Sequence, residues 1–283
     1  YYVLKGALDP ELPPNAGAYR PVEVEVRKGS LLSAEYPQAV CNANIVTTQR
    51  IVDALLGALS QAIPDKVQAA SSGTMNLLNI GGVDPRSGTY YNYIETYAGG
   101  QGANPDDDGM DAVQNHMTNT RNAPVESIET AYPLIVEAYE LIPHSEGPGR
   151  NRGGVGLRRK VKVEADEVQI TLSSDRAKIQ PWGLFGGSPA ATSSCTIISP
   201  DGKSERLRSK VTIRVKKDHV IVNETSGGGG WGPSNERDPE LIRRDVVAGL
   251  VSIQRAKDDY SVVIEGNTFD INWGETERLR GGH

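Results

Sequence analysis

Glycine is the residue type that most constrains the fold of this chain. The 283 residues include 31 glycines and 17 prolines, but no G-x-y period runs through them, which excludes a collagen-type triple helix. Many of the glycines come in runs, as at 81–82, 99–100 and 227–230. Polar segments so rich in glycine either turn tightly or let the backbone approach a ligand closely. The composition therefore predicts a globular protein with many loops.

The spacing of apolar residues predicts an α+β fold that is mainly antiparallel sheet, with a few amphipathic helices and glycine-rich loops. From Leu134 onward apolar and polar residues alternate, as in strands with one buried face. Strands are expected at 22–26, 89–93, 134–141, 156–163, 168–173, 194–198, 210–215, 220–222 and 260–265. Helices are expected at 47–63, at 125–130 and after Asp238, a good helix cap when proline follows it. We expect a mixed α/β segment with pocket-forming loops at 1–133 and a strand-rich segment with a C-terminal helix at 134–283.

The charge balance argues against nucleic acid as a partner. The formal net charge is −6, whereas phosphate binding needs a basic surface. The densest basic stretch, at 158–162, is followed at once by acidic residues, so it is interpreted as a solvated strand face. The sequence shows no run of 18 apolar residues and no pattern of a signal peptide, so neither a signal peptide nor a membrane partner is expected. With only Cys41 and Cys195, the chain is expected to be cytoplasmic, with both thiols reduced.

Most catalytic sequence motifs are absent, but one polar run stands out. The sequence has no P-loop, no dinucleotide fingerprint and no H-E-x-x-H zinc motif. In the run at 114–122, every side chain except Met117 forms strong hydrogen bonds. Such a run cannot be buried without partners. It is either the wall of a pocket for a small polar substrate or a loop whose side chains hold its own backbone.

Two titratable residues are candidates for acid–base catalysis. His116 lies in this polar run, and Glu95 lies close to the glycines at 99–100. A carboxylate and an imidazole beside exposed backbone could act as an acid–base pair. The alternative for Glu95 is an exposed carboxylate at the end of a strand. A metal site is not expected, because the acidic turn at 104–109 starts like a calcium loop but has Asn115 where that loop needs glutamate.

Several motifs, in order along the chain, resemble those of one protein family. The most specific is His116-Met117-Thr118-Asn119-Thr120-Arg121-Asn122, followed by Pro124 and Glu126. Others are Ser72-Gly73-Thr74-Met75-Asn76, Ser174-Asp175-Arg176, Trp182-Gly183-Leu184-Phe185-Gly186-Gly187 and Glu236-Arg237-Asp238-Pro239. Through these motifs the chain resembles the B subunit of the hydantoinase/oxoprolinase family (N-methylhydantoinase B-like). The resemblance covers the carboxy-terminal half of such a subunit.

The resemblance implies an enzyme subunit. Members of the family open cyclic amides such as hydantoins, 5-oxoproline or lactams, often with ATP, and related complexes carboxylate ketones. For this chain we expect His116 and Glu95 to be catalytic. The expected substrate-binding residues are Asn115, Asn119, Arg121, Asn122, Gly99 and Gly100. Oriented N–H donors would stabilise the oxyanion that develops on the amide.

The resemblance also implies partners. ATP and magnesium would bind to a hydantoinase A-like subunit, and a divalent metal would bind in the amino-terminal half, whose H-x-G-D motif does not occur here. We expect this chain to bind none of them by itself. Its expected partners are that A-like subunit, the amino-terminal half as a separate chain or a missing segment, and a small cyclic amide. Two alternatives stay open: a subunit of an ATP-dependent acetone or acetophenone carboxylase, and a non-catalytic assembly half.

Overall fold

The strands form two antiparallel sheets, as the alternating pattern predicts. The computed structural model describes residues 1–281, apart from the side chains of residues 43–45, so residues 282 and 283 of the predicted strand-rich segment lie outside it. In chain order the strands are β1 (Leu77–Val83), β2 (Tyr90–Thr96), β3 (Leu134–Leu141), β4 (Leu157–Val163), β5 (Glu167–Ser173), β6 (Ser194–Ile198), β7 (Ser204–Arg206), β8 (Lys210–Lys216) and β9 (Val220–Glu224).

The two sheets have the strand orders β2-β1-β5-β8 and β3-β4-β9-β6-β7. Every pair of neighbouring strands in them is antiparallel. Strands β1 and β2 precede residue 133, whereas β5 and β8 follow it. The two predicted segments therefore contribute strands to one sheet.

The helices lie at the two ends of the chain and between β2 and β3. They are α1 (Tyr2–Leu8), α2 (Ala16–Tyr19), α3 (Ala43–Leu59), α4 (Val125–Ala131), α5 (Pro239–Val247), α6 (Ile253–Tyr260) and α7 (Trp273–Gly281). Helix α1 packs against α3, and α5 packs against α6. Asp238 caps α5 as predicted, since its side chain accepts a hydrogen bond from the N–H of Glu240. Among the described residues, no helix has both the length and the apolar character needed to cross a membrane. The α+β class predicted from the sequence is confirmed.

One hydrophobic core joins the two sheets, and a charged residue lies within it. Leu157, Val161 and Val163 of β4 belong to this core. Arg159 points the same way, because side chains two apart on a strand share a face, and it is only 1% exposed. The interpretation of residues 158–162 as a solvated face is therefore wrong for Arg159. It holds for the other basic residues of the stretch, which are partly exposed: Arg158, Lys160 and Lys162.

The glycine runs pack backbone against backbone. A Cβ atom on Gly100 would lie 1.9 Å from the carbonyl oxygen of Gly154 and 2.5 Å from the nitrogen of Gly228. The same segments hydrogen-bond to each other, for example from the N–H of Gly154 to the carbonyl of Gln101 at 2.8 Å and from the N–H of Gly228 to the carbonyl of Gly154 at 2.9 Å. In these runs the glycine backbone closely approaches other backbone segments of the same chain, whereas glycine-rich segments were predicted to approach a ligand or to turn tightly.

Several elements differ from the sequence predictions. Helices α1, α2, α6 and α7 and strand β7 were not predicted. Residues 22–26 form no strand, because no neighbouring strand of the described chain pairs with them; Val24 and Val26 are exposed. Residues 260–265 form no regular strand either, since α6 runs on to Tyr260, and only an isolated bridge from Ile264 to Ile271 follows. Strand β1 was not predicted, because its two central glycines were interpreted as a turn signal.

The acidic turn at 104–109 is held by arginine. Arg237 donates to both carboxylate oxygens of Asp108, at 2.5 and 2.7 Å, and also to Asp245. Arg152 donates to Asp245 and to Asp111. These ion pairs tie the turn to α5. Asp108 is partly buried and joins the buried side chains of Arg237 and Asp245, whereas Asp106 and Asp107 are exposed.

The first prediction concerns Gly100. A Gly100→Ala protein should lose about 3 kcal/mol of stability or fail to fold, because the new methyl group meets two backbone segments that cannot move apart cheaply. Urea denaturation followed by circular dichroism measures this loss. Gly266→Ala is the control, since its Cβ would meet only one side-chain atom, at 4.0 Å. Equal stability of the two variants would contradict the packing role of Gly100.

The second prediction concerns Glu146, whose side chain is fully buried with Arg255 Nη2 at 3.4 Å from Oε1. Burial raises the pKa of Glu146 to about 7. The folded protein holds the proton of the Glu146 carboxyl more tightly than the unfolded chain does. The protonated carboxyl therefore stabilises the fold fully below the pKa of the unfolded chain, and this stabilisation is lost as the pH rises through 7. We expect a loss of about 3 kcal/mol in the free energy of unfolding between pH 4.5 and pH 8.

Urea titrations at several pH values test this expectation. Glu146→Gln should remove that part of the pH dependence, whereas Glu126→Gln, which changes an exposed carboxylate, should keep it. A Glu146→Gln protein with the pH profile of the unchanged protein would refute the prediction.

Candidate active site

The polar run at 114–122 forms a loop whose two ends are held and whose middle is exposed. At one end the side chain of His116 is completely buried, and its backbone has a φ of 57°, which is uncommon for a residue other than glycine. At the other end Asn122 is partly buried. Between them Met117, Asn119 and Arg121 are exposed. The loop therefore presents its central side chains while its ends are fixed.

Asp53 holds the buried histidine. His116 Nε2 lies 3.1 Å from Asp53 Oδ1. A carboxylate accepts hydrogen bonds, so this contact places the imidazole N–H on Nε2 and leaves Nδ1 as an acceptor. Nδ1 is buried and has no hydrogen-bond partner among the described residues. The ring of Tyr2, in α1, lies edge-on at 6.1 Å from the imidazole.

Two arginines share the other oxygen of Asp53. Arg176 Nη2 lies 2.5 Å from Asp53 Oδ2, and Arg50 Nη1 lies 3.0 Å from it. Arg50 and Asp53 are three positions apart on α3 and so lie on one face of the helix. Both guanidinium groups also donate to the carbonyl of Ser72. Burial, and then the charge of Arg50, lower the pKa of Arg176 to about 10.

Glu95 lies in a second buried cluster. Its Oε1 accepts hydrogen bonds from Asn122 Nδ2 at 2.8 Å and from Arg159 Nη2 at 3.2 Å. Tyr139 donates to Asn122 Oδ1 at 2.8 Å, and its ring lies under the Arg159 guanidinium at 4.5 Å. Burial and the charge of Glu95 raise the pKa of the neighbouring Tyr97, which keeps its phenol protonated. This cluster fixes the Asn122 end of the loop.

The structure distributes the predicted catalytic residues between these two clusters. His116 pairs with Asp53, and Glu95 pairs with Arg159 and Asn122. Among the described residues, none forms a side-chain hydrogen bond or ion pair with both His116 and Glu95. The histidine therefore has a carboxylate partner, but that partner is Asp53, which lies 63 positions away in the sequence.

Four of the predicted substrate-binding residues are engaged with the protein itself. Asn115 donates to the carbonyl of Gly100 at 3.2 Å, and Asn122 is held by Glu95. Gly99 and Gly100 are buried against neighbouring backbone segments. By contrast, the exposed side chains of Asn119 and Arg121 make no hydrogen bond or ion pair with the described residues. They are free to contact a substrate or another chain.

Several site residues were missed in the sequence, although some left a signal. Arg50 and Asp53 are charges on an amphipathic helix, three positions apart. Arg159 occupies one of the alternate positions of its strand that face the core. A charge at an apolar position needs a buried partner. The charges on α3 and on β4 therefore indicate ion pairs, but they do not show which residue is the partner. Nothing in the local sequence indicates that Arg176 reaches Asp53.

The described part of the chain offers no metal site of the usual kind. Within residues 1–281, no group of three or more histidine, cysteine, aspartate or glutamate side chains is placed to hold a metal ion. The acidic side chains nearest the loop are instead occupied by arginine.

Comparison with known proteins identifies the family. The family described as hydantoinase B/oxoprolinase matches residues 1–234. A 5-oxoprolinase of Dictyostelium discoideum is 36% identical over 231 residues, which cover 82% of this chain and 17% of that protein. The caprolactamase subunit beta of Pseudomonas jessenii is 29% identical over 275 residues, which cover 91% of this chain and 46% of that protein.

Two solved structures have the same fold. A crystal structure of ATP-dependent caprolactamase from Pseudomonas jessenii has a TM-score of 0.84 and 27% identity, covering 99% of this chain and 50% of that one. Nucleotide-free acetone carboxylase also has a TM-score of 0.84, at 21% identity, over 99% of this chain and 42% of that one, and this likeness shows the fold alone. The chain spans half or less of the length of each of these proteins. The chain belongs to the hydantoinase B/oxoprolinase family.

The third prediction compares the two ends of one motif. Asn122→Ala should cost about 2 kcal/mol, because it removes three hydrogen bonds, one of them to a buried carboxylate. Asn119→Ala is the matched control and should change stability by less than about 0.5 kcal/mol. Chemical denaturation of both proteins gives the comparison. If the two substitutions cost the same, Asn122 does not anchor the loop.

Proposed function

We propose that this member of the hydantoinase B/oxoprolinase family forms part of an ATP-linked enzyme that hydrolyses a cyclic amide: a hydantoin, 5-oxoproline or a lactam. The chain would act as the carboxy-terminal half of a B-type subunit. The family match supports this proposal, as do relatives named as a 5-oxoprolinase and a caprolactamase subunit. The proposal also places the protein in the cytoplasm, in keeping with its two free cysteines.

The pairing of His116 with Asp53 is the observation that carries the catalytic part of the proposal. A carboxylate that holds one imidazole nitrogen orients the ring and leaves the other nitrogen to accept a proton. In amide hydrolysis a water oxygen attacks the carbonyl carbon, the C–N bond breaks, and the proton of the water passes to the leaving nitrogen. His116 Nδ1 is proposed to carry that proton, once α1 or the loop moves to uncover it.

The exposed side chains of the loop are proposed to bind the substrate. Arg121 and Asn119 both offer N–H donors, which suit the carbonyl oxygen of an amide and the oxyanion that forms from it. Glu95 is proposed as a positioning residue, because it contacts Asn122 and Arg159 and not the exposed part of the loop. Asn115, Gly99 and Gly100 would keep the backbone behind the loop in place.

Cofactors and partners are assigned to other chains in this proposal. The sequence has no P-loop, and the described residues gather no metal-binding cluster. As the resemblance to the family implies, ATP with magnesium is proposed to bind to an A-type partner subunit, and the divalent metal to the amino-terminal half of the B subunit. One relative is itself named as a subunit, which supports an assembly of several chains.

The fourth prediction tests His116 in the assembled enzyme. After reconstitution with its partner chains, the protein should open hydantoin, 5-oxoproline or caprolactam with consumption of ATP. His116→Gln should lower kcat about 100-fold or more with little change in KM, because a proton carrier is lost and substrate contacts remain. His144→Gln changes an exposed histidine and is the control.

The outcomes separate the alternatives. Bicarbonate-dependent consumption of acetone or acetophenone, without opening of a cyclic amide, would indicate a ketone carboxylase. Cyclic-amide hydrolysis that is equally fast in the His116→Gln and His144→Gln proteins would indicate that this chain is a non-catalytic assembly half.

A further inference from the structure

A cleft lined by basic residues lies beside the Asp53 cluster. Its volume is about 310 Å³, within the range of small-molecule sites. Arg50 lines it from α3, whereas Arg176, Lys178 and Ile179 line it from the segment after β5. Asp175 is its one acidic lining residue. None of residues 117–121, the exposed part of the loop that carries Asn119 and Arg121, lines this cleft.

The charges around this cleft do not balance. Arg50 and Arg176 share the single carboxylate of Asp53, and no other carboxylate of the described residues forms an ion pair with either of them. Asp53 therefore leaves one positive charge uncompensated, in a group in which Arg176 and Asp53 are buried and Arg50 is 29% exposed. Burying an unbalanced charge is costly, so the arrangement favours an additional negative charge nearby.

The acidic residue of the cleft does not cancel that excess, although its charge also acts on Arg176. Asp175 is already paired with Lys210, whose Nζ lies 2.6 Å from Oδ1. Lys178 is exposed at the rim, and it has neither a hydrogen bond nor an ion pair with the described residues. The cleft therefore combines a buried excess of one positive charge with one free ammonium group at its opening.

Arg50 has an unused donor. Its two terminal nitrogens bind Asp53 and the carbonyls of Ser72 and Gly73, but Nε is buried without a partner among the described residues. An oxyanion can accept from both a guanidinium N–H and a lysine ammonium group. The excess beside Asp53 is one positive charge, and Lys178 at the rim stays in contact with water. A carboxylate, with one negative charge, therefore suits the cleft better than a doubly charged phosphate.

From this arrangement we infer that the cleft lined by Arg50, Arg176 and Lys178 binds the carboxylate group of a small molecule. Hydrolysis of any cyclic amide creates a carboxylate, so the cleft could hold the ring-opened product or a carboxylated substrate. Only this link to a product rests on the proposed function. The binding site itself rests on the charges and the shape of the cleft.

The experiment measures binding without turnover. Acetate is titrated into the protein at constant ionic strength and followed by ligand-observed NMR, with acetamide as the neutral analogue of the same shape and inorganic phosphate as the competing oxyanion. We expect saturable binding of acetate, none of acetamide, and weaker binding of phosphate. Lys178→Gln should weaken acetate binding at least fivefold, and Arg50→Gln should weaken it further.

Lys257→Gln is the matched control, because it removes the same charge from an exposed lysine on α6. Lys178 is also exposed, so its substitution should leave the fold intact. The inference is overturned if acetate does not bind saturably, if acetamide or phosphate binds as tightly as acetate, or if Lys257→Gln weakens binding as much as Lys178→Gln. None of these results depends on hydrolysis, so failure of the proposed function and failure of this site are distinguishable.

Discussion

The structure depends on backbone segments that lie too close together for side chains. The Cβ that an alanine would add at Gly100, Gly153 or Gly228 falls within 2 Å of a carbonyl oxygen of another segment. Hydrogen bonds between these segments replace the contacts that side chains make elsewhere. Ser72, whose carbonyl receives both arginines of the Asp53 cluster, is itself hydrogen-bonded to Gly100. Glycine packing and the position of the charged residues are thus parts of one arrangement.

Around this framework, two buried clusters set the position of a single loop. Asp53 binds His116 at its beginning, and Glu95 binds Asn122 at its end. Each carboxylate also neutralises at least one buried arginine. The polar and charged residues predicted to form the site therefore fall into two groups. His116, Glu95 and Asn122 hold the loop in place, whereas Asn119 and Arg121 are exposed on it.

Local patterns predicted most of the strands, but only three of the seven helices in the described chain. Alternation over 134–222 identified six strands to within a few residues, and the apolar stripe of α3 identified that helix. Strand β1 was missed because Gly81 and Gly82 lack the side chains that reveal a strand, although Gly82 lies against the carbonyl of Glu167 in the neighbouring strand. The valines at 22–26 have the pattern of a strand, but a strand also needs a hydrogen-bonding neighbour.

The site was predicted less completely, because its contacts join distant parts of the chain. A carboxylate partner for His116 could be predicted, because imidazole commonly pairs with a carboxylate. That this partner is Asp53 and not Glu95 depends on how α3 packs against the loops. That choice has a kinetic consequence. Asp53 meets partners 63 and 123 positions away, so its ion pairs form only after the segments that carry them have come together. The cluster is therefore expected to assemble late in folding, when the loops around the sheets are already in place.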